Sequence, residues 1–179
     1  MNLKEKKEQN PLSQSEIIKL FNDPDAVRSI VGGKAANLAE LHQIGIPVPV
    51  AVGINVSVHR DFKRSGKISQ QLISDLEALR KEMGGKVAIR SSATCEDSNE
   101  LTMAGVFETF YLQDESASIE AAMLSIYNQT TSQEVSDYLS LHTIDPEKVE
   151  MGLVMQVLIE PQYSGVLYTG VDRSNLLIQ

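Results

Sequence analysis

The chain has 179 residues, 42% hydrophobic and 22% charged, which is enough apolar material for one domain with a buried core and too much for a wholly disordered chain. Sixteen basic side chains against 24 acidic ones leave a net charge of −8, which argues against a nucleic-acid backbone as main partner while leaving room for an anion held by a few local cations. A single cysteine, Cys95, excludes an intramolecular disulfide, and neither an apolar leader nor an apolar run of membrane-spanning length is present, so a reducing, cytoplasmic setting without a membrane partner is expected.

Residues 1–14 read as a polar tail and 15–179 as the folded domain. A short helix is expected after Ser15, with Ile17, Ile18, Leu20 and Phe21 as its apolar side, broken by Asn22, Asp23, Pro24 and Asp25. A second helix starts near Lys34 and stops before Gly45, with Ala35, Leu38, Ala39 and Leu41 on one face. Val50 to Val56 is β-like, and Ser57 caps a turn of helix through Phe62. Ile68, Leu72, Leu76, Leu79 and Met83 recur at helical spacing and mark a longer helix, stopped by Gly84 and Gly85.

Val87 to Ser91 reads as a buried strand, 94–102 as a polar loop and Val106 to Leu112 as another strand. Helices follow over about 117–128 and 133–141. Met151 to Ile159 is an apolar strand with a hairpin partner expected over 164–169. The pattern predicts an α/β (α+β) domain with mixed or antiparallel strands. The final Leu176-Leu177-Ile178 needs something to bury against, so the domain is expected to be incomplete on its C-terminal side.

Four segments can carry chemistry. Gly32-Gly33-Lys34 precedes a helix, where free N–H groups, the positive dipole end and an ammonium suit an anion. A glycine turn followed by a solvated lysine would look the same. Arg90 ends an apolar strand, so its guanidinium either pairs with a carboxylate such as Glu96 or Asp97 or faces a site. Ser91, Ser92 and Thr94 add hydroxyls there, or form a turn. Gly105 lets backbone approach a ligand closely, and Glu108 and Thr109 are polar positions in an apolar strand. Gln156 is a lone amide in an apolar run, able both to donate and to accept. Cys95, His42, His59 and His142 fit no metal-binding or hydrolase spacing, and Glu96, Asp97 and Glu100 read as a solvated acidic loop.

Taken in order, VGGKAANLAELHQIGIPVPVAVGINVS (31–57), VAIRSSATCEDSNELTMAGVFETFYL (87–112) and MGLVMQVLIEPQYSGVLYTG (151–170) resemble the N-terminal ATP-grasp-like nucleotide-binding domain of the phosphoenolpyruvate synthase and pyruvate phosphate dikinase family. The middle segment, an RSSAT-x-ED loop before a Gly-x-x-x-Thr strand, is the most specific. Cys95 stands where that family usually has a small alanine, and YTGVDRSN replaces its usual Phe-Thr-x-Asp-Pro run.

The resemblance implies that Lys34 and Arg90 contact ATP phosphates, that Gly105 and Thr109 lie in the loop over them, and that Gln156 lies near the adenine. It implies a phosphotransferase that passes the β-phosphoryl of ATP to a histidine on a separate domain and then, through a third domain, to pyruvate. The products are phosphoenolpyruvate, AMP and phosphate. Rifampin-inactivating phosphotransferases share the first domain with another acceptor. The Mg2+-holding carboxylate and amide of that family are expected beyond Gln179, as are the phosphohistidine and phosphoenolpyruvate domains. No catalytic or metal-holding role is therefore assigned within this chain, and the isolated chain is expected to be inactive. The alternative is a non-catalytic module of the same fold that senses nucleotide or binds a partner.

Overall fold

Five apolar strands build one antiparallel sheet with helices on both of its faces. The computed structural model describes residues 15–95, 106–142, 144–145, 148–165, 167–168 and 177–178. The strands are β1 (Ile17–Lys19), β2 (Ala51–Ile54), β3 (Val87–Ala93), β4 (Thr109–Leu112) and β5 (Met151–Val157), in the order β1-β2-β5-β3-β4. The fold is thus mixed α/β, as the hydrophobic pattern implied. The tail over 1–14 lies outside the described residues, as does 96–105 of the polar loop.

The helix expected after Ser15 is a strand. Its Ile17-Ile18 pair is stiff at χ1, which suits a pleated surface better than a helix. Ile18 is buried against Gly53 of β2, and Ser15 Oγ donates to the Ile17 carbonyl instead of capping a helix. The predicted breaker does act: Asn22 has φ 68°, and the Asp23 carboxylate accepts from the Asp25 N–H at 2.9 Å.

Two helices, α1 (Arg28–Val31) and α2 (Gly33–Gln43), cover one face of the sheet. Ile30, Val31, Ala35, Ala36 and Ala39 pack there with Ile18, Ala51 and Val154. Small alanines bring α2 close to the strands, whereas Leu41, expected on the apolar side, is exposed. The other face carries α3 (Val56–Ser65), α4 (Gln70–Glu82), α5 (Ile119–Gln129) and α6 (Gln133–Leu141). Val58, Leu72, Leu76, Met123, Ile126 and Leu139 meet Val52, Ile54, Ile89, Leu153 and Met155 in its core. Burial on both faces explains why β2 and β5 read as continuous apolar runs and not as alternating ones.

The stripe expected over 68–83 is buried at Ile68, Leu72 and Leu76 and half-buried at Leu79 and Met83, but α4 starts at Gln70, so Ile68 packs from just before the helix. The α3 cap is Asn55, whose side chain accepts from the Ser57 N–H at 2.9 Å, not Ser57 itself. Ser69, Ser118 and Ser132 cap α4, α5 and α6 in the same way. Arg80, which no sequence pattern singled out, is 4% exposed and ties the end of α4 to the loop before α5. It donates to the carbonyls of Gly85, Ala117 and Asp114 at 2.8, 2.7 and 2.6 Å and pairs with Glu77, which offsets the cost of burying its charge.

The hairpin expected across residues 160–163 does not form. β5 is central, with β2 on one side and β3 on the other, so neither of its edges is open to a following strand. Instead β6 (Leu167–Tyr168) pairs with β7 (Leu177–Ile178) in a separate two-stranded sheet.

Tyr127 gives a first test of the packing. Its ring sits 5.0 Å from His59 and 5.4 Å from Phe62, and its hydroxyl is buried with no hydrogen-bond partner among the described residues. An unsatisfied buried polar group costs about 1–3 kcal/mol. Tyr127→Phe is therefore expected to leave stability unchanged or raise it by about 1 kcal/mol, read as the denaturant midpoint. A loss of stability would reveal a partner for the hydroxyl.

Candidate functional site

Strand register decides which of the polar candidates share a face. Arg90 lies opposite Thr109 on β4 and Val154 on β5, while Ala88 lies opposite Gln156 and Ala51 lies opposite Gln156 from β2. Paired residues share a face, and so do alternate residues along one strand. Arg90, Thr109 and Gln156 are therefore on one face. It is the face covered by α1 and α2, since Ala51 and Val154 belong to that packing cluster. The helix that carries Lys34 thus covers the same side of the sheet. Gly105 lies outside the described residues.

Arg90 is half-buried, and its guanidinium donates to Gln156 Oε1 at 3.3 Å. Among the described residues it forms no ion pair with a carboxylate. Among the described residues its positive charge is met by a neutral amide, and Glu96 and Asp97, the carboxylates the sequence offered, lie outside them. Lys34 donates from Nζ to Ser91 Oγ at 3.4 Å. Ser91 follows Arg90 on β3, so one strand segment carries one cation and holds the other.

Gly32 has a packing role that its sequence context did not separate from ligand approach. It joins α1 to α2 with φ 80°, and a Cβ placed there would lie 1.6 Å from the carbonyl oxygen of Ser92. Gly152 of β5 is the second contact point, where an added Cβ would meet the Val31 carbonyl oxygen at 2.4 Å. The signal for it was a glycine inside an apolar strand, which marks close backbone approach. The corner between α1 and α2 is thereby pressed onto β3 and β5.

Ser91 and Ser92 are strand residues, not turn formers. Ser92 Oγ accepts from the Ala35 N–H at 3.0 Å. It takes up one of the orphan donors in the first turn of α2 from the strand beneath that helix, where Gly32 has no side chain to do so. The three histidines all have packing partners: His42 stacks on Phe21, His59 is buried beside Thr130 and Tyr127, and His142 packs on Tyr138. An apolar cavity of about 540 Å³ opens beside β1 and β2, lined by Leu20, Phe21, Val50, Ala51, Met83 and Val157 among others. It touches Ala51, the ladder partner of Gln156, but Lys34, Arg90 and Thr109 do not line it. Among the described residues, β3 and its neighbours hold a guanidinium against an amide on one face and an ammonium against the Ser91 hydroxyl, groups that suit an anion.

The chain belongs to a family defined by such a domain, the pyruvate phosphate dikinase AMP/ATP-binding domain, whose model matches residues 65–176. Arg90, Gly105, Thr109 and Gln156 fall inside the matched span, and Lys34 precedes it. The chain is 28% identical over 182 residues to a probable phosphoenolpyruvate synthase of Methanocaldococcus jannaschii, covering 78% of this chain and 15% of that protein. It is 28% identical over 184 residues to the phosphoenolpyruvate synthase of Aeropyrum pernix, covering 78% and 22%. It is 24% identical over 198 residues to a rifampicin phosphotransferase of Streptomyces sviceus, covering 89% and 23%. The chain therefore spans less than a quarter of the length of each of these relatives. Among the described residues, no helix is long and apolar enough to cross a membrane.

Proposed function

We propose that this chain is the ATP-binding portion of a dikinase-type phosphotransferase. Lys34 and Arg90 hold the phosphates, Gly105 and Thr109 lie over them, and Gln156 sits near the adenine. The observation that carries this reading is Arg90, a half-buried guanidinium on a β-strand whose only polar contact among the described residues is the Gln156 amide. With no carboxylate beside it among the described residues, such a cation is costly to bury and suits an arriving anion.

In the whole protein the reaction is that of a phosphoenolpyruvate synthase, ATP, pyruvate and water giving AMP, phosphoenolpyruvate and phosphate. The phosphoryl passes through a phosphohistidine on a domain other than this one. The likeness to a rifampicin phosphotransferase supports a second reading, in which an antibiotic replaces pyruvate as acceptor. A non-catalytic module that keeps the nucleotide cleft is the remaining alternative. The setting is the reducing cytoplasm, where Cys95 stays a thiol. Mg2+ is the cation that accompanies ATP in such enzymes. Among the described residues no group of three His, Cys, Asp or Glu is placed to hold a metal.

The test is calorimetric titration with ATP. Arg90→Ala is expected to weaken binding by about 1.5–3 kcal/mol, the range for a charge-assisted hydrogen bond, and Lys34→Ala to act in the same direction. Both losses shrink as salt is raised, because ionic strength screens such contacts. Lys81→Ala, on exposed α4 across the sheet, serves as the unaffected control. Parent-like affinity in both site variants would remove the phosphate assignment. Formation of AMP from ATP and pyruvate by the isolated chain would show that the catalytic groups lie within it.

A further inference from the structure

We propose that Ser91 is a positioning residue for the Lys34 ammonium. The inference rests on the ATP-phosphate reading above and goes beyond it to a residue that the reading does not use. Lys34 lies in the first turn of α2, and a lysine side chain has four rotatable carbons and about 2 kcal/mol of rotamer freedom to lose when it binds. An ammonium held in place before the ligand arrives loses less of it.

The structure holds it through two consecutive hydroxyls of β3. Ser92 Oγ accepts from the Ala35 N–H at 3.0 Å and fixes the backbone of the turn, while Ser91 Oγ accepts from Lys34 Nζ at 3.4 Å and fixes the charge. Both hydroxyls are buried, Ser91 at 3% and Ser92 at 0% exposure, so water does not compete freely for them. Arg90 immediately precedes them on the same strand. β4 pairs with β3 only as far as Arg90, so among the described residues Ser91 to Ala93 have a ladder partner on one side, in β5. By strand alternation Arg90 and Ser92 face α1 and α2 and Ser91 faces the other way, and the Lys34 ammonium meets Ser91 just past the point where β4 stops pairing with β3.

The two serines divide the work. Ser92 serves the fold, because without it a buried N–H at a helix start is unpaired. Ser91 serves the ligand, through Lys34. The experiment is a double-mutant cycle on the full chain, read by calorimetric titration with ATP and by melting temperature. Ser91→Ala and Ser91→Cys are expected to weaken ATP binding about three- to tenfold, the range of one ordinary intramolecular hydrogen bond, because Ser91 acts on the ligand only through Lys34. Ser91→Thr, which keeps the acceptor, retains binding. In a Lys34→Ala background, Ser91→Cys is expected to change affinity no further, and Ser92→Ala is expected to lower the melting temperature more than Ser91→Cys does.

The cysteine variant keeps the side-chain volume nearly constant, so it reports even if the alanine variant does not fold. If Lys34→Ala weakens binding and Ser91→Cys does not, the positioning role is overturned while the phosphate reading stands. An equal loss from Ser91→Cys with and without Lys34 overturns it too, since Ser91 would then act on something else. Parent-like binding by Lys34→Ala removes the phosphate reading and this inference with it.

Discussion

Gly32→Ala is expected to destabilise the domain by at least about 3 kcal/mol, from left-handed backbone strain together with a backbone clash that nothing flexible can relieve. The residue has φ 80°, and its added Cβ would sit 1.6 Å from the Ser92 carbonyl oxygen and 2.4 Å from the carbon behind it. Accommodating the methyl means lifting the α1–α2 corner off β3, which also breaks the 3.0 Å bond from Ala35 N–H to Ser92 Oγ. Gly45 is the control. It has φ 82° with nothing within 4 Å of its added Cβ, so Gly45→Ala carries only the left-handed strain, about 1–2 kcal/mol. Denaturant midpoints of the two variants separate the terms. Equal losses would mean that the corner moves freely and that the contact with Ser92 is not structural.

Acidification is expected to cost the protein about 3 kcal/mol between pH 6.5 and pH 4 through His59 alone. The ring is 1% exposed, and burial, followed by the nearby Lys63 charge, lowers its pKa from 6.5 to about 4. Its hydrogen bonds require the neutral form. Nδ1 accepts from the Met151 N–H at 3.2 Å, so the proton is on Nε2, 3.1 Å from Thr130 Oγ1, which itself donates to the Tyr127 carbonyl at 2.6 Å. Above pH 6.5 both the folded and the unfolded chain carry a neutral ring, and stability from this source is fully present. As pH falls through 6.5 the unfolded chain binds a proton that the folded one refuses, so stability drops until the folded ring titrates near pH 4. His59→Gln removes that group, so its stability is expected to fall less than the parent's over the same interval, whatever its stability at pH 7. Identical pH slopes for the two proteins would show that His59 is not the buried neutral group described.

Both positions were visible in the sequence but not interpretable there. Gly32 was one of a glycine pair before a lysine, a pattern shared by ligand loops and plain turns, and His59 was one of three scattered histidines. A glycine's reason depends on what stands opposite its missing side chain, and a histidine's pKa on what surrounds it. Neither is local information. Arg80 was missed for the same reason, because its carbonyl partners come from residues 85, 114 and 117.

The sequence by itself determined the class of the fold, the apolar stripe from Ile68 to Leu76, the stops at Gly84 and Gly85, and strands β3 and β5. These follow from side-chain periodicity and from glycine's access to positive φ, which act over a few residues. It also determined the family, through motif segments whose residue types and order are specific without any coordinates. Only the tertiary structure decided that Ile17–Lys19 is a strand, because a three-residue β-branched run becomes one only when β2 offers its edge. Only the structure decided that β5 has no hairpin partner, because β2 and β3 already occupy both its edges. It alone brought Arg90, Thr109 and Gln156 onto one face and set Ser91 against Lys34, since strand register is a pairing between distant segments that no local pattern encodes.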